Sequence, residues 1–371
     1  MKTVLLLISL TIVTVTISSA AIFSSDSNGS YGPLNVTEDV VLDIPPDGIF
    51  HCTSINIGSN AVLHFNRNVA NTPVYLLATG EVKIEGSVVL DGGDAAVNKA
   101  GKGGPGGFDG GEPTTVLFVP AGYGYGPGGG ANRDGRGTFA ERYGNSLLIP
   151  LIGGSGGGGQ PRSSGGEGGA GGGGAMLIAS DISVTHLGVI RAQGGTALRP
   201  QQEAGAGPGS GGGIRVVAPM VRGTGTINVS GGFAGGFGQA GGFGRIRIDT
   251  INDQDLKFSY FGVVRQGREM YVFPPNNPRL EIIEAGGQPI ANGTVGIVNV
   301  QLLLGASTNQ TVKLRAHNFS GRVSVEVRVT PETGQANSFR TEFDASTNPA
   351  EVTVDIFIVP DITHRIQAWT R

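Results

Sequence analysis

The chain has one cysteine in 371 residues, Cys52, so no internal disulfide can staple it. Charged residues are scarce at 15%, against a usual share of about 25%. The formal net charge is −3 and no basic stripe is present, which argues against nucleic acid and anionic membranes as partners. Helical periodicity is missing after the first twenty residues, and no later apolar run is long enough to span a bilayer. There is no serine elbow, Walker loop or believable dinucleotide fingerprint, because the Gly-x-Gly-x-x-Gly matches lack a following helix. Threonine ladders of the kind a flat ice-binding face needs are also lacking.

Glycine, by contrast, supplies 66 residues, without the strict Gly-x-y period of collagen. It punctuates a repeat. Val82-Lys-Ile-Glu-Gly86-Ser-Val88-Val-Leu90-Asp-Gly92-Gly93 returns as Val221-Arg-Gly-Thr-Gly225-Thr-Ile227-Asn-Val229-Ser-Gly231-Gly232, and its second half returns as Gly188-Val-Ile190-Arg-Ala192-Gln-Gly194-Gly195. Apolar runs precede the copies at Val74–Ala78, Met176–Ala179 and Ile214–Ala218. One unit is therefore apolar strand, turn, alternating strand, Gly-Gly. Such a unit cannot bury its own side chains, but stacked units share one core. The pattern predicts a right-handed parallel β-helix-like domain. The rival, a β-propeller, needs four strands per blade where two or three are visible. Gly86, Gly188 and Gly225 are expected at turns needing positive φ.

Glycine-rich insertions follow all three copies at the same point, after the Gly-Gly. The longest covers residues 94–174. A stretch of this length is functional, disordered, or packed as extended three-fold polyglycine II helices, which glycine alone permits.

Residues 1–20 read as a signal peptide: Lys2, an apolar run from Val4 to Val15, and small residues at Ser18-Ser-Ala20. Residues 21–35 read as a flexible lead-in, 36–250 as the glycine-rich domain and 251–278 as a cap or linker. Residues 279–371 carry seven short candidate strands: Leu280–Ile283, Gly296–Leu304, Thr311–His317, Val323–Val329, Ser338–Phe343, Glu351–Ile358 and Arg365–Trp369. That spacing predicts an all-β immunoglobulin-like sandwich without the paired cysteines of antibody domains. Trp369 is expected in it or at its edge. Cys52 is expected to be buried.

The strings Gly211-Gly-Gly-Ile-Arg-Val-Val-Ala-Pro219, Ala175-Met-Leu-Ile-Ala-Ser180, Gly244-Arg-Ile-Arg-Ile-Asp249, Val325-Glu-Val-Arg-Val-Thr-Pro331 and Ile366-Gln-Ala368 resemble a group of exported glycine-rich bacterial proteins of unassigned function. The resemblance covers most of the mature chain. It implies an exported location and this architecture, and carries over no catalytic residue.

Two functions stay open. One is a secreted or cell-surface structural or adhesive protein, attached to matrix and binding a glycan through the aromatics of its glycine blocks: Phe108, Tyr123, Tyr125, Phe233 and Phe237. The other is a polysaccharide lyase or glycoside hydrolase, which needs paired carboxylates. Asp91 with Asp94, and Asp109 with Glu112, are the candidate pairs. No cofactor is expected. Calcium is the metal considered, on Asp109 and Glu112, because hard oxygen ligands on glycine loops suit it. The five histidines, at 51, 64, 186, 317 and 364, lack zinc-ligand spacing. Arg245-Ile-Arg247 reads as a solvated strand face.

Overall fold

The computed structural model describes residues 23–114, 121–133, 136–161, 166–197, 205–234, 239–291, 294, 298–332 and 336–370. The expected signal peptide lies outside them. The described chain is all strand and loop, with no helix.

The first strands are β1 (Gly32–Val36), β2 (Val40–Asp43), β3 (Ile49–Ile57) and β4 (Val62–Asn66). Next come β5 (Val74–Ala78), β6 (Val82–Ile84) and β7 (Ser87–Val89). Two-residue strands β8 (Asn132–Arg133) and β9 (Arg136–Gly137) sit inside the long insertion. The scaffold resumes with β10 (Ala175–Ser180), β11 (Ser183–His186), β12 (Val189–Arg191) and β13 (Gly213–Arg222). It ends with β14 (Thr226–Asn228), β15 (Arg245–Asn252), β16 (Ser259–Phe261) and β17 (Val263–Gly267).

Apart from β8 and β9, every pairing among these strands is parallel. One ladder runs β2-β4-β7-β12-β14-β16, and the repeat falls in register along it: Val88, Ile190 and Ile227 are direct neighbours. A second column aligns Val74, Met176, Ile214, Ile246 and Val264. These inward residues form one buried core with Leu63, Ile84 and Cys52. Burial pushes the Cys52 thiol up to about 11, so it packs as a small apolar group.

The pairing departs from a plain one-strand-per-coil stack. The long β3 pairs with β5 through its first half and β6 through its second, and β13 does the same with β10 and β11. The hydrogen bonds thus close a six-strand parallel circuit, β10-β5-β3-β6-β11-β13. The three repeat glycines also differ from expectation. None has positive φ. They are required by close approach: a β carbon on Gly188 would lie 1.9 Å from Gly86 O, and one on Gly86 2.2 Å from Gly58 O.

Two boundaries move. The lead-in expected at 21–35 is packed: Phe23 is buried, Ser25 Oγ donates to Ala78 O (2.8 Å), and β1 joins the sheet. The cap expected at 251–278 instead begins with one more rung, β16 and β17. Arg247 is not on a solvated face either. Arg247 and Arg215 are buried around Asp249, with Arg215 Nη2 3.2 Å and Arg247 Nε 2.9 Å from its carboxylate. The segment after β17 lies over them, Glu269 N donating to Asp249 Oδ1 and Tyr271 stacking on Arg215. Asp249 is two residues beyond Arg247 on the same strand, so both point outward together. What the alternation could not reveal is the segment that covers them.

The insertions all leave after β7, β12 or β14 and re-enter at β10, β13 or β15, so neighbouring rungs hold their ends side by side. There they form a hydrogen-bonded bundle of extended segments. Its order is clearest in residues 168–173. Their N–H groups donate in turn to Ala96, Gly111, Gly207, Gly93, Phe108 and Ser210. Three neighbouring segments thus recur with a period of three, the signature of three-fold polyglycine II. Carbonyls of the same stretch accept from Gly101, Gly104, Gly154, Gly157 and Gly195, on three further segments. Residues 153–160 are enclosed in the same way, donating to Gly173, Tyr125, Ala170, Thr138, Gly122 and Glu167 among others. At most of these glycines no side chain fits: a β carbon on Gly169 would sit 1.9 Å from Gly157 O, and one on Gly172 2.0 Å from Gly154 O.

The last third contains β18 (Arg279–Ala285), β19 (Gln288–Pro289), β20 (Val298–Gln301) and β21 (Asn309–His317). It closes with β22 (Arg322–Pro331), β23 (Asn337–Asp344), β24 (Ala350–Phe357) and β25 (Thr363–Thr370). All seven expected strands occur here, with β19 in addition. They form two four-stranded antiparallel sheets, β19-β18-β21-β24 and β20-β25-β22-β23, around a core of Leu314, Val325, Val327, Ile356 and Ile366.

Gly169→Ala is expected to lower stability by about 3 kcal/mol or more, because a backbone oxygen cannot rotate away from the added methyl. Gly205→Ala, whose nearest neighbour would be 3.9 Å away, should stay within about 0.5 kcal/mol. Urea unfolding of both checks this. A second expectation concerns His186, which is buried edge-on to Phe258; burial lowers its pKa to about 4. The unfolded chain binds this proton near pH 6.5. Stability should therefore fall as pH drops from about 6.5 to about 4, by at most about 3 kcal/mol. Denaturation across this window should show that slope, and His186→Gln should flatten it.

Candidate functional site

The face of β22 and β25 that points away from their core is turned onto the glycine bundle. Glu326, Arg328 and Thr330 on β22 lie beside Trp369, Gln367 and Arg365 on β25. Strand alternation puts all six on one face. Arg328 Nη1 donates to Gly124 O (2.7 Å), and its guanidinium lies 6.0 Å from the Tyr123 ring and 5.3 Å from that of Trp369. Trp369 is only 8% exposed. Arg365 sits 4.5 Å from the ring centre of Tyr125. The tyrosines can project from the bundle because glycines flank them on both sides.

Among the described residues, two clefts open along this junction. One, of about 510 Å³, is lined by Arg67, Phe108, Asp109, Tyr125, Arg365 and Gln367, among others. The other, of about 700 Å³, has Tyr143, Leu280, Phe319 and Trp369 in its wall, with Glu141, Arg142 and Arg279 beside them. The first brings together three residues singled out in the sequence, Phe108, Asp109 and Tyr125. Its volume lies within the roughly 300–1,000 Å³ typical of small-ligand sites. Burial raises the Tyr125 pKa, partly countered by Arg365.

The remaining predicted residues lie elsewhere. Tyr123 is half-buried under Arg328. Phe233 is 63% exposed on the third insertion, and Phe237 falls outside the described residues. Asp94 accepts from Thr196 N (2.8 Å). Asp91 accepts from Gln193 N and pairs with Arg191 at 2.7 Å; burial raises its pKa. Glu112 is exposed. Of the four carboxylates Asp109 lines the 510 Å³ cleft, and Asp91, Asp94 and Glu112 do not. Burial pushes the Asp109 carboxyl up, but Arg67, Gly103 N and Lys102 (3.0 Å) outweigh it and hold it below the ordinary range. It is a fixed anion, unsuited to proton transfer near neutral pH. Its oxygens are already taken by donors, two of them cationic, which does not fit a calcium site. Among the described residues no cluster of three His, Cys, Asp or Glu groups could hold a metal ion.

Sequence reasoning missed Arg67, Arg328, Arg365 and Gln367. Arg67 is isolated in its local sequence. For the others the available signal was strand alternation, Glu326-Arg328-Thr330 and Arg365-Gln367-Trp369, the latter ending in the only tryptophan.

A scan of protein-family models and searches of curated proteins and solved structures find no match to this chain.

Arg328→Ala is expected to cost about 3 kcal/mol, since it opens a buried charged contact with Glu326 (3.7 Å) and frees Gly124 O. Limited proteolysis should then cut within 251–278 more readily and release the C-terminal sheets; unchanged digestion would show that Arg328 does not hold the junction.

Proposed function

We propose that the protein is an exported, non-catalytic structural or adhesive component of a cell surface or matrix. In this reading the parallel rungs are a β-helix-like stack and the C-terminal sheets an immunoglobulin-like sandwich. The glycine bundle is a rigid post between them, and the 510 Å³ cleft holds a glycan. The observation that carries the reading is the convergence of Phe108 and Tyr125 with Arg67, Asp109, Arg365 and Gln367 in one cleft. Aromatic faces with a few fixed polar groups suit sugar rings, which stack through C–H surfaces and hydrogen-bond at their edges. A carbohydrate-active enzyme is less well supported. The one candidate carboxyl with a raised pKa, Asp91, is tied to Arg191 and lies outside that cleft.

The test is a polysaccharide panel that reads binding and new reducing or unsaturated ends in the same wells. Binding without new ends, weakened roughly tenfold by Tyr125→Ala, is expected. New ends, or no binding to any glycan or matrix component, would overturn the proposal.

A further inference from the structure

The charge on this cleft is unbalanced. Arg67 and Lys102 both converge on Asp109, at 2.5 and 3.0 Å. Asp109 therefore has no charge left for Arg365. Glu112 acts on Tyr125 electrostatically but does not line the cleft, and it is solvated. The charged groups that line the cleft are two cations (Arg67, Arg365) against one carboxylate (Asp109). Among the described residues no carboxylate pairs with Arg365, and its guanidinium lies over the Tyr125 ring at 4.5 Å. A guanidinium carries five N–H donors in a planar fork, and a π face satisfies none of them as a carboxylate would. Two residues along β25, Gln367 Oε1 is buried at the same cleft and makes no hydrogen bond within the protein. By contrast the Asn71 amide, also in the wall, is engaged with the bundle backbone at both ends, donating to Gly107 O (2.6 Å) and accepting from Gly106 N (3.1 Å). The cleft therefore offers an unclaimed fork of donors and an aromatic wall, with an unsatisfied acceptor buried behind its surface.

We infer that this cleft selects acidic saccharides, with a carboxylate or sulfate on Arg365 and the ring against Phe108. The inference rests on the glycan-binding reading and adds the class of glycan. Arg365 would hold the anion in bidentate fashion, and Tyr125 beneath it would fix the guanidinium plane. Neutral glucans would use the aromatic wall alone and bind more weakly.

The experiment uses the purified full chain, with polygalacturonate, dextran sulfate and unmodified dextran as probes, at low and physiological salt. Wild type should bind one or both acidic polymers at least roughly tenfold more tightly than dextran. Arg365→Gln should abolish that preference and Arg365→Lys should keep part of it, both with unchanged thermal unfolding. Arg322→Gln, at a highly exposed position on β22, should change nothing. Preference for polygalacturonate assigns the anion as carboxylate, and preference for dextran sulfate as sulfate; either supports the inference. Equal binding of dextran and the acidic polymers would overturn it while leaving the glycan-binding reading intact. No binding of any polysaccharide would instead remove that reading. Equal losses in Arg365→Gln and Arg322→Gln would mark diffuse charge attraction and overturn the assigned site.

Discussion

Everything in this molecule depends on backbones approaching where no β carbon intervenes. The insertions bury almost no apolar side chains, so the hydrophobic effect does little for them. Their order comes from pairing backbone N–H and C=O groups that must find partners once packed. Each such bond is worth about 1 kcal/mol net, and each ordered glycine costs more chain entropy than any other residue. Such a bundle is marginal unless something fixes its ends. The stacked strands do this, because every insertion starts and finishes on adjacent rungs whose spacing matches that of the segments.

The same constraint explains where side chains survive. Phe108, Tyr123 and Tyr125 occupy the rim of the bundle, and Ala170 and Ser155 are small enough to be enclosed. At the rim the bundle meets a sheet face with a buried arginine, a tryptophan and a glutamate. This junction is polar and aromatic, so it specifies orientation: Arg328 has to reach one carbonyl, Gly124 O, while spanning two rings.

Much of the scaffold could be read in the sequence. The Gly-x-apolar-x-apolar-x-Gly-Gly phrase set the alignment of Val88, Ile190 and Ile227, because alternation with glycine punctuation allows few other stackings. The clean alternation of Val323–Val329 placed β22. The bundle was legible as one of three outcomes, since composition permits the three-fold helix without requiring it. Less could be read wherever covering segments matter. Arg215 and Arg247 look solvent-facing until residues 268–273 fold over them. The candidate site was half visible: Phe108, Asp109 and Tyr125 stand out in glycine-rich sequence, whereas Arg67 and Arg365 are separated by nearly the whole chain and meet only through the fold.

The three-residue recurrence in the bundle has one more consequence. A strand that gains one residue turns its side chains to the opposite face. A three-fold segment that gains three residues returns every donor to the neighbour it had before. Adding three residues to an outgoing segment and three to the returning one would carry the turn between them outward by about 9 Å at 3.1 Å per residue. No existing contact would change. Reach from the scaffold is thus set in fixed steps, by counting residues, and a family of such chains could differ in height while sharing one cross-section.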